Sequence, residues 1–192
     1  MGRKIVLVTG GTRSGKSEFA EQLAARLEGP VTYLATSAPG DEEMIKRVDL
    51  HRLRRPVEWK TIEETHNVPQ RIEEASEKVG VMLVDSLTGW LSNLLVDEML
   101  PAPGASATEK EEYIASRVGD LAHAAGRSQS SLVVVTDEVG LGLVPTYPLG
   151  RLFRDVMGRA NSRLAAVADE VYLVVAGMAL EIKGLAVNKE KL

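Results

Sequence analysis

One stretch of this chain has the residue types to grip a polyphosphate. Gly10-Gly11-Thr12-Arg13-Ser14-Gly15-Lys16-Ser17 fits the pattern G-x-x-x-x-G-K-[ST]. Gly10, Gly11 and Gly15 let backbone amides curl around an anion without Cβ clashes. Lys16 is then placed to reach the β- and γ-phosphates, and the Ser17 hydroxyl to ligate Mg2+. Four fixed positions recur by chance in roughly one chain of this length in a hundred. The flanks argue further against chance. Ile5-Val6-Leu7-Val8 is an apolar, β-branched run that reads as a buried strand, and Ser17 to Leu27 is rich in Ala, Glu, Leu and Gln, which reads as a helix. The helix N-terminus adds partial positive charge where a phosphate would sit.

Other candidates lie further along. Asp85 follows Val81-Met82-Leu83-Val84, and Asp137-Glu138 follows Leu132-Val133-Val134-Val135 and Thr136. A carboxylate at such a strand end can hold Mg2+ directly or through water, or it can cap the next helix. Asp85 is favoured as the metal-linked residue, with Glu138 second. Of the three histidines, His66 reads as a solvated residue or a helix cap, and His123, among Ala122, Ala124 and Ala125, reads as packing. His51 stands apart because Arg52, Arg54 and Arg55 follow it. Guanidinium groups suit phosphate oxygens bidentately, and a neutral imidazole is a competent nucleophile. Basic residues at a helix C-terminus also complement its dipole, so residue chemistry alone leaves both roles open for His51.

These candidates need elements to position them. Strands are expected at Ile5–Val8, Val31–Ala35, Val81–Val84 and Leu132–Val135, with a short extended piece at Val57–Thr61. Helices are expected from Asp41 to about Leu53, Glu63 to Lys78, Leu87 to Met99, Glu109 to Gly126 and Leu149 to Ala166. Val171–Val175 and Met178–Ile182 flank Ala176-Gly177 as a tight hairpin, and Pro101–Thr108 reads as a mobile surface loop. Alternating strands and helices predict a mostly parallel sheet covered on both faces, with an antiparallel edge strand at the C-terminus. In such sheets ligands sit at the carboxyl ends of the strands, where the motifs repeatedly fall.

At 192 residues the chain suits a single domain spanning 1–192, with a polar tail at 183–192. A formal charge of −4 argues against broad nucleic-acid binding. The lack of Cys excludes disulfides and thiolate metal sites. Met1-Gly2-Arg3-Lys4 leads straight into the first strand with no signal peptide, and no apolar stretch approaches membrane-spanning length, so a cytoplasmic protein is expected.

Several motifs carry a family resemblance. They include Gly10 to Ser17 with Arg13-Ser14 inside it, Tyr33-Leu34-Ala35-Thr36-Ser37, Glu42-Glu43-Met44, Arg47-Val48 and His51, then Arg55-Pro56 and Trp59. Asn93-Leu94-Leu95, Glu138-Val139-Gly140, Val144-Pro145, Phe153-Arg154-Asp155, Gly158-Arg159 and Ala168-Asp169-Glu170-Val171 continue them. From about Ile5 to Lys183 the chain resembles the bifunctional adenosylcobinamide kinase/adenosylcobinamide-phosphate guanylyltransferases of cobalamin biosynthesis. That resemblance implies a three-layer P-loop NTPase fold of the recombinase-like kind. It implies that ATP or GTP phosphorylates adenosylcobinamide. It also implies that GTP gives GMP to a histidine, aligned with His51, and that the GMP passes to adenosylcobinamide phosphate. The nucleotide contacts it implies are Gly10 to Ser17, Thr36, Ser37, Ala38, Arg52, Leu53, Arg54, Arg55, Glu63 and Asp85, and it implies a homotrimer. Two positions depart from the family pattern. Arg52-Leu53-Arg54 replaces a frequent Lys-Asp-Gly, and Asp85 replaces a frequent Glu.

Two other readings compete. One is a P-loop small-molecule kinase with a single reaction and a structural His51. The other is a nucleotide-driven binding module like recombinase or helicase motors, which the pI near 5.5 disfavours.

Overall fold

A computed structural model of the protein describes residues 2–37, 55–75 and 80–187. The helix expected from Asp41 to Leu53 lies outside the described residues. The strands are β1 (Ile5–Gly10), β2 (Val31–Ala35), β3 (Lys60–Glu63), β4 (Val81–Asp85), β5 (Ser131–Asp137), β6 (Glu170–Val175) and β7 (Met178–Glu181). The helices among the described residues are α1 (Lys16–Arg26), α2 (Val68–Ala75), α3 (Leu87–Val96), α4 (Ala107–Arg127) and α5 (Pro148–Val167).

The strands form one seven-stranded sheet in the order β3-β2-β4-β5-β1-β6-β7. Every neighbouring pair is parallel except β6 with β7, so the expected parallel sheet with an antiparallel edge is what forms. Parallel neighbours need crossovers, and helices supply them on both faces.

Strand alternation sorts the residues between those faces. Val6, Val8, Tyr33, Leu83, Val133 and Val135 pack with Ala20 and Ala24 of α1. Ile5, Leu7, Leu34, Met82, Val84, Leu132 and Val134 pack on the other face against residues of the remaining helices, among them Trp90, Ile114, Leu121 and Met157. Asp85 and Asp137, two residues beyond Leu83 and Val135, share the parity of the face that α1 covers. Small side chains on α1 bring that helix close to the sheet beside its strand ends.

The expected boundaries need several corrections. The extended piece at Val57–Thr61 is in fact β3, three residues later, and Glu63 belongs to it because it pairs with Ala35. The helix expected from Glu63 begins only at Val68. Between them Glu64 Oε1 accepts the backbone N–H groups of His66 and Asn67, and this ties a turn. Helix α3 stops at Val96 rather than Met99, because Asp97 is extended and its carboxylate takes the Met99 N–H. Helix α4 starts at Ala107, taking two residues from the expected loop, because Ser106 and Glu109 form a capping box. His123 is exposed, not packed; Leu121, Ala124 and Ala125 carry the buried stripe of that helix. His66 is not a freely solvated residue. Its ring lies between Thr65 Oγ1 at 2.8 Å and Asp97 Oδ2 at 3.2 Å, and its carbonyl accepts from Trp90 Nε1 at 2.8 Å. Lys183 donates to the carbonyls of Ala165 and Ala166 at the end of α5, and so caps that helix.

The turn from β1 to α1 is the tightest point. A Cβ on Gly10 would lie 2.4 Å from the backbone oxygen of Val174 and 2.7 Å from Ser14 Oγ. A Cβ on Gly11 would meet nothing within 4 Å. Gly10→Ala is therefore expected to destabilise the fold by about 1–3 kcal/mol through forced overpacking, and Gly11→Ala to leave stability nearly unchanged. Urea denaturation of the two variants checks this, and equal midpoints would refute it.

Candidate functional site

Between β1 and α1 the chain forms a compact loop. Ser14 N–H donates to the Gly11 carbonyl at 3.2 Å, and Gly15 caps α1 at a φ of 95° that glycine adopts without strain. The hairpin between β6 and β7 braces this loop from outside: Gly177 N–H donates to the Ser14 carbonyl at 2.8 Å. A Cβ on Gly15 would stand 3.3 Å from Gly177 Cα, so loop and hairpin touch backbone to backbone. Thr12 and Arg13 are exposed beside Gly11, while Ser14 is buried. Ser17 lies in the first turn of α1, half-buried.

Lys16 folds back across the loop. Its ammonium donates to the Gly11 carbonyl at 3.1 Å and pairs with Asp137 Oδ1 at 2.5 Å. Asp137 is held by its backbone. Its N–H donates to Thr88 Oγ1 at 2.8 Å, and its carbonyl accepts from Asn161 Nδ2 at 3.0 Å. Asn161 Oδ1 in turn accepts from Thr136 Oγ1 at 2.7 Å. Glu138, the second choice for a metal, instead turns its Oε1 to the Gly140 N–H at 2.7 Å.

A second group gathers on the same face of the sheet. Tyr33 donates its hydroxyl to Asp85 Oδ2 at 2.8 Å, and the Arg55 guanidinium lies over the Tyr33 ring, 3.3 Å from its centroid. Arg55 Nε and Nη1 are buried and have no hydrogen-bond partner among the described residues. Burial, and then the negative charge of Asp85, push the Tyr33 phenol well above its ordinary range; Arg55 opposes them. Tyr33 therefore stays protonated and donates to Asp85 throughout the neutral range.

The remaining predicted residues are placed as follows. Thr36 is fully buried, and its hydroxyl donates to the Ser86 carbonyl and accepts the Ser86 N–H at 2.8 Å, so it joins the ends of β2 and β4. Ser37 is half-buried beside Gly89, where a Cβ would meet its Oγ at 2.7 Å. Glu63 is exposed at the end of β3. Ala38, His51, Arg52, Leu53 and Arg54 lie outside the described residues. Tyr33 is a site residue that sequence reasoning left out, and Asp137, read there only as a strand-end acid, was not linked to Lys16. Both follow from strand alternation, since they share parity with Asp85 or with the α1-facing valines.

Among the described residues no group of three or more His, Asp or Glu gathers as a metal cage. Oxygens of the type a hard cation takes include the Ser17 hydroxyl and the Asp85 carboxylate, whose Oδ2 accepts from Tyr33. No helix among the described residues is long and apolar enough to cross a membrane.

Comparison with known proteins fits this geometry. A family model described as cobinamide kinase / cobinamide phosphate guanyltransferase matches residues 6–182. A relative from Escherichia coli strain K12, named bifunctional adenosylcobalamin biosynthesis protein CobU, is 39% identical over 185 residues, or 93% of this chain and 99% of the relative. The protein of the same name from Salmonella typhimurium is 39% identical over 186 residues, with the same shares of each chain covered. A Pseudomonas aeruginosa relative, bifunctional adenosylcobalamin biosynthesis protein CobP, is 36% identical over 178 residues, or 93% of this chain and 96% of the relative. Among solved structures, the type III secretion ATPase EscN of enteropathogenic E. coli aligns with a TM-score of 0.58 and 11% identity, over 98% of this chain and 50% of that one. A prototypical type III secretion ATPase aligns with a TM-score of 0.54 and 11% identity, over 97% of this chain and 59% of that one. Those two likenesses show the fold alone, that of P-loop NTPases.

The raised Tyr33 pKa has a testable sign. A phenol whose folded pKa lies above its unfolded value adds stability that is fully present below about pH 10 and is lost as pH rises beyond it. Spectrophotometric titration is expected to show a tyrosine that ionises only as the protein unfolds, and Tyr33→Phe to remove that component. The same variant is expected to lose about 1.5–3 kcal/mol of stability at neutral pH, from the hydrogen bond to a charged acceptor. A Tyr33→Phe titration curve identical in shape to that of the unmodified protein would refute the assignment.

Proposed function

The chain belongs to the cobinamide kinase / cobinamide phosphate guanyltransferase family, and from that premise we propose how its residues perform both transfers. It is a transferase of adenosylcobalamin synthesis. The kinase reaction uses ATP or GTP to phosphorylate the alcohol of adenosylcobinamide. The second reaction takes GMP from GTP onto His51 and passes it to adenosylcobinamide phosphate, giving adenosylcobinamide-GDP. The observation that carries this reading is the loop of Gly10 to Ser17, closed onto α1 with the Lys16 ammonium held at its mouth.

Each residue then has a task. The amides of Gly11 to Lys16 and the N-terminus of α1 cradle the β- and γ-phosphates. Lys16 leaves Asp137 and the Gly11 carbonyl for the phosphate oxygens, where its charge is worth more in the transition state than in the ground state. Arg55 brings two buried nitrogens, Nε and Nη1, without a hydrogen-bond partner among the described residues, and such donors suit the phosphate oxygens of a bound nucleotide. Ser17 and Asp85 supply hard oxygen donors of the kind Mg2+ takes when phosphates complete its shell. When bound there, Mg2+ neutralises charge developing on the phosphates. Tyr33 holds Asp85 Oδ2, and Oδ1 remains for that task.

His51 attacks the α-phosphate with a neutral imidazole nitrogen, pyrophosphate leaves, and the guanylylated histidine divides one hard transfer into two easier ones. Arg52 and Arg54 provide donors for the phosphates beside it. Both reactions stabilise phosphate charge at one loop. We place the enzyme in the cytoplasm as one domain that assembles as a homotrimer and has no nucleic-acid partner, in keeping with its net charge of −4.

The test uses GTP labelled at the α-phosphate. The folded enzyme is expected to acquire a label that is labile in acid and stable in base, as a phosphoramidate is, and His51→Ala to abolish it while phosphorylation of adenosylcobinamide largely survives. Lys16→Ala is expected to slow both reactions by about 10²-fold or more. A label that persists in His51→Ala would place the nucleophile elsewhere, and either activity near the unmodified level in Lys16→Ala would end the shared-site reading.

A further inference from the structure

Three acids stand at the ends of β4 and β5, and one of them sets its carboxylate against the loop. Asp85 is engaged by the protonated Tyr33 hydroxyl, and Glu138 by the Gly140 N–H. Asp137 faces Lys16, with its carboxylate oxygen 2.5 Å from the ammonium. We propose that Asp137 is the general base of the kinase step, taking the proton of the corrinoid alcohol, and that it has no part in guanylyl transfer. This rests on the reading of Gly10 to Ser17 as the triphosphate site.

The first argument is distance. A lysine that reaches a phosphate oxygen does so at about 2.8 Å. Lys16 Nζ stands 2.5 Å from the Asp137 carboxylate, so that carboxylate and the γ-phosphate oxygens lie within the sweep of one lysine side chain. An attacking oxygen must stand about 3–3.5 Å from the phosphorus and within about 2.6–3.2 Å of its base. The proposal requires one hydroxyl to stand between Asp137 and the γ-phosphorus.

The second argument is what the fold asks of residue 137. Its N–H goes to Thr88 and its carbonyl to Asn161, so the end of β5 is fastened through the backbone. Those bonds would form with any side chain. A carboxylate here is an electrostatic burden for a site that must also take a triphosphate, because it competes with the phosphates for the Lys16 ammonium and repels them. Its presence calls for a task that neither an amide nor an alkyl group performs.

The third argument is chemical selectivity. Among the transfers, only the kinase step has a nucleophile whose attacking atom carries a proton. A neutral imidazole attacks through a bare lone pair, and a corrinoid phosphate oxygen attacks as an anion. In the kinase step Lys16 moves to the phosphates and leaves Asp137 unpaired. The alcohol O–H bond breaks with its proton passing to Asp137, and the freed electron pair forms the new oxygen–phosphorus bond. The bond from the γ-phosphorus to the bridging oxygen breaks with its pair, which leaves on the nucleoside diphosphate. Asp137 then returns the proton to water.

Asp137→Asn keeps size and shape and removes the acceptor. Phosphorylation of adenosylcobinamide is expected to fall about 10²-fold or more in kcat. Guanylylation from α-labelled GTP is expected to stay within about threefold, and nucleotide affinity to be unchanged or tighter because Lys16 is released. Asp137→Glu keeps the carboxylate and is expected to recover part of the kinase rate. Retained guanylylation also reports that the variant has folded. If both transfers fall together and nucleotide binding weakens, Asp137 serves Lys16 alone and the proposal is wrong. An active kinase in Asp137→Asn overturns it too. An unmodified enzyme that cannot phosphorylate adenosylcobinamide overturns the kinase reading itself, a result distinct from either of these.

Discussion

Between the end of β1 and the Val174 carbonyl there is no room for a methyl group, and the site depends on that contact. Gly10 lets β1 run flush against β6 up to its last residue. The chain can then turn at Gly15 into α1 while the β6–β7 hairpin presses on the turn from outside. A phosphate loop owes its anion affinity to amides that point one way, and such an array is unfavourable in the absence of external support, because the amides repel one another. Here the support is backbone on backbone: Ser14 with Gly177, and Gly10 with Val174. The C-terminal hairpin is therefore more than an edge to the sheet; it is the outer wall of the loop.

The electrostatics follow from the same architecture. All the parallel strands point their carboxyl ends to one edge, and alternation then decides which side chains reach the α1 face. Tyr33, Asp85 and Asp137 reach it, as does Lys16 from the start of α1. Two carboxylates and a lysine in a half-buried setting would repel or neutralise one another without order. Instead each acid has its own partner: a phenol for Asp85 and an ammonium for Asp137. Arg55, lying over the Tyr33 ring, opposes the field of Asp85, and its Nε and Nη1 have no hydrogen-bond partner among the described residues. The arrangement gives two neighbouring strand-end carboxylates two different settings.

Much of this was legible in the sequence because the signals are local. The apolar runs of β1, β4 and β5, the glycines of the loop and the Ala-rich start of α1 each dictate their own geometry. The order strand, loop, helix places Lys16 and Ser17 by itself. What was not legible depends on pairing across long separations. Glu63 belongs to a strand only because Ala35 lies beside it, and nothing in Thr61-Ile62-Glu63-Glu64 announces that partner. His66 looks like a surface histidine until Asp97, far along the chain, closes on its ring. Asp137 was visible as a strand-end acid, but its contact with Lys16 needs the register that sets Gly10 against Asp137.

One loop can serve two chemistries because the costly part of each is the same. Phosphoryl and nucleotidyl transfer both build negative charge on oxygens that the loop amides and Lys16 already face, and that stabilisation does not depend on which phosphorus is attacked. What distinguishes the reactions is the nucleophile, and a nucleophile needs little apparatus beyond its own position and, where it carries a proton, a base. Two activities in one small domain therefore call for one charge-stabilising centre and two approaches to it. The Asp137 carboxylate, beside Lys16, suits the alcohol's approach. Arg55, over the Tyr33 ring, brings a positive charge to the same face of the sheet.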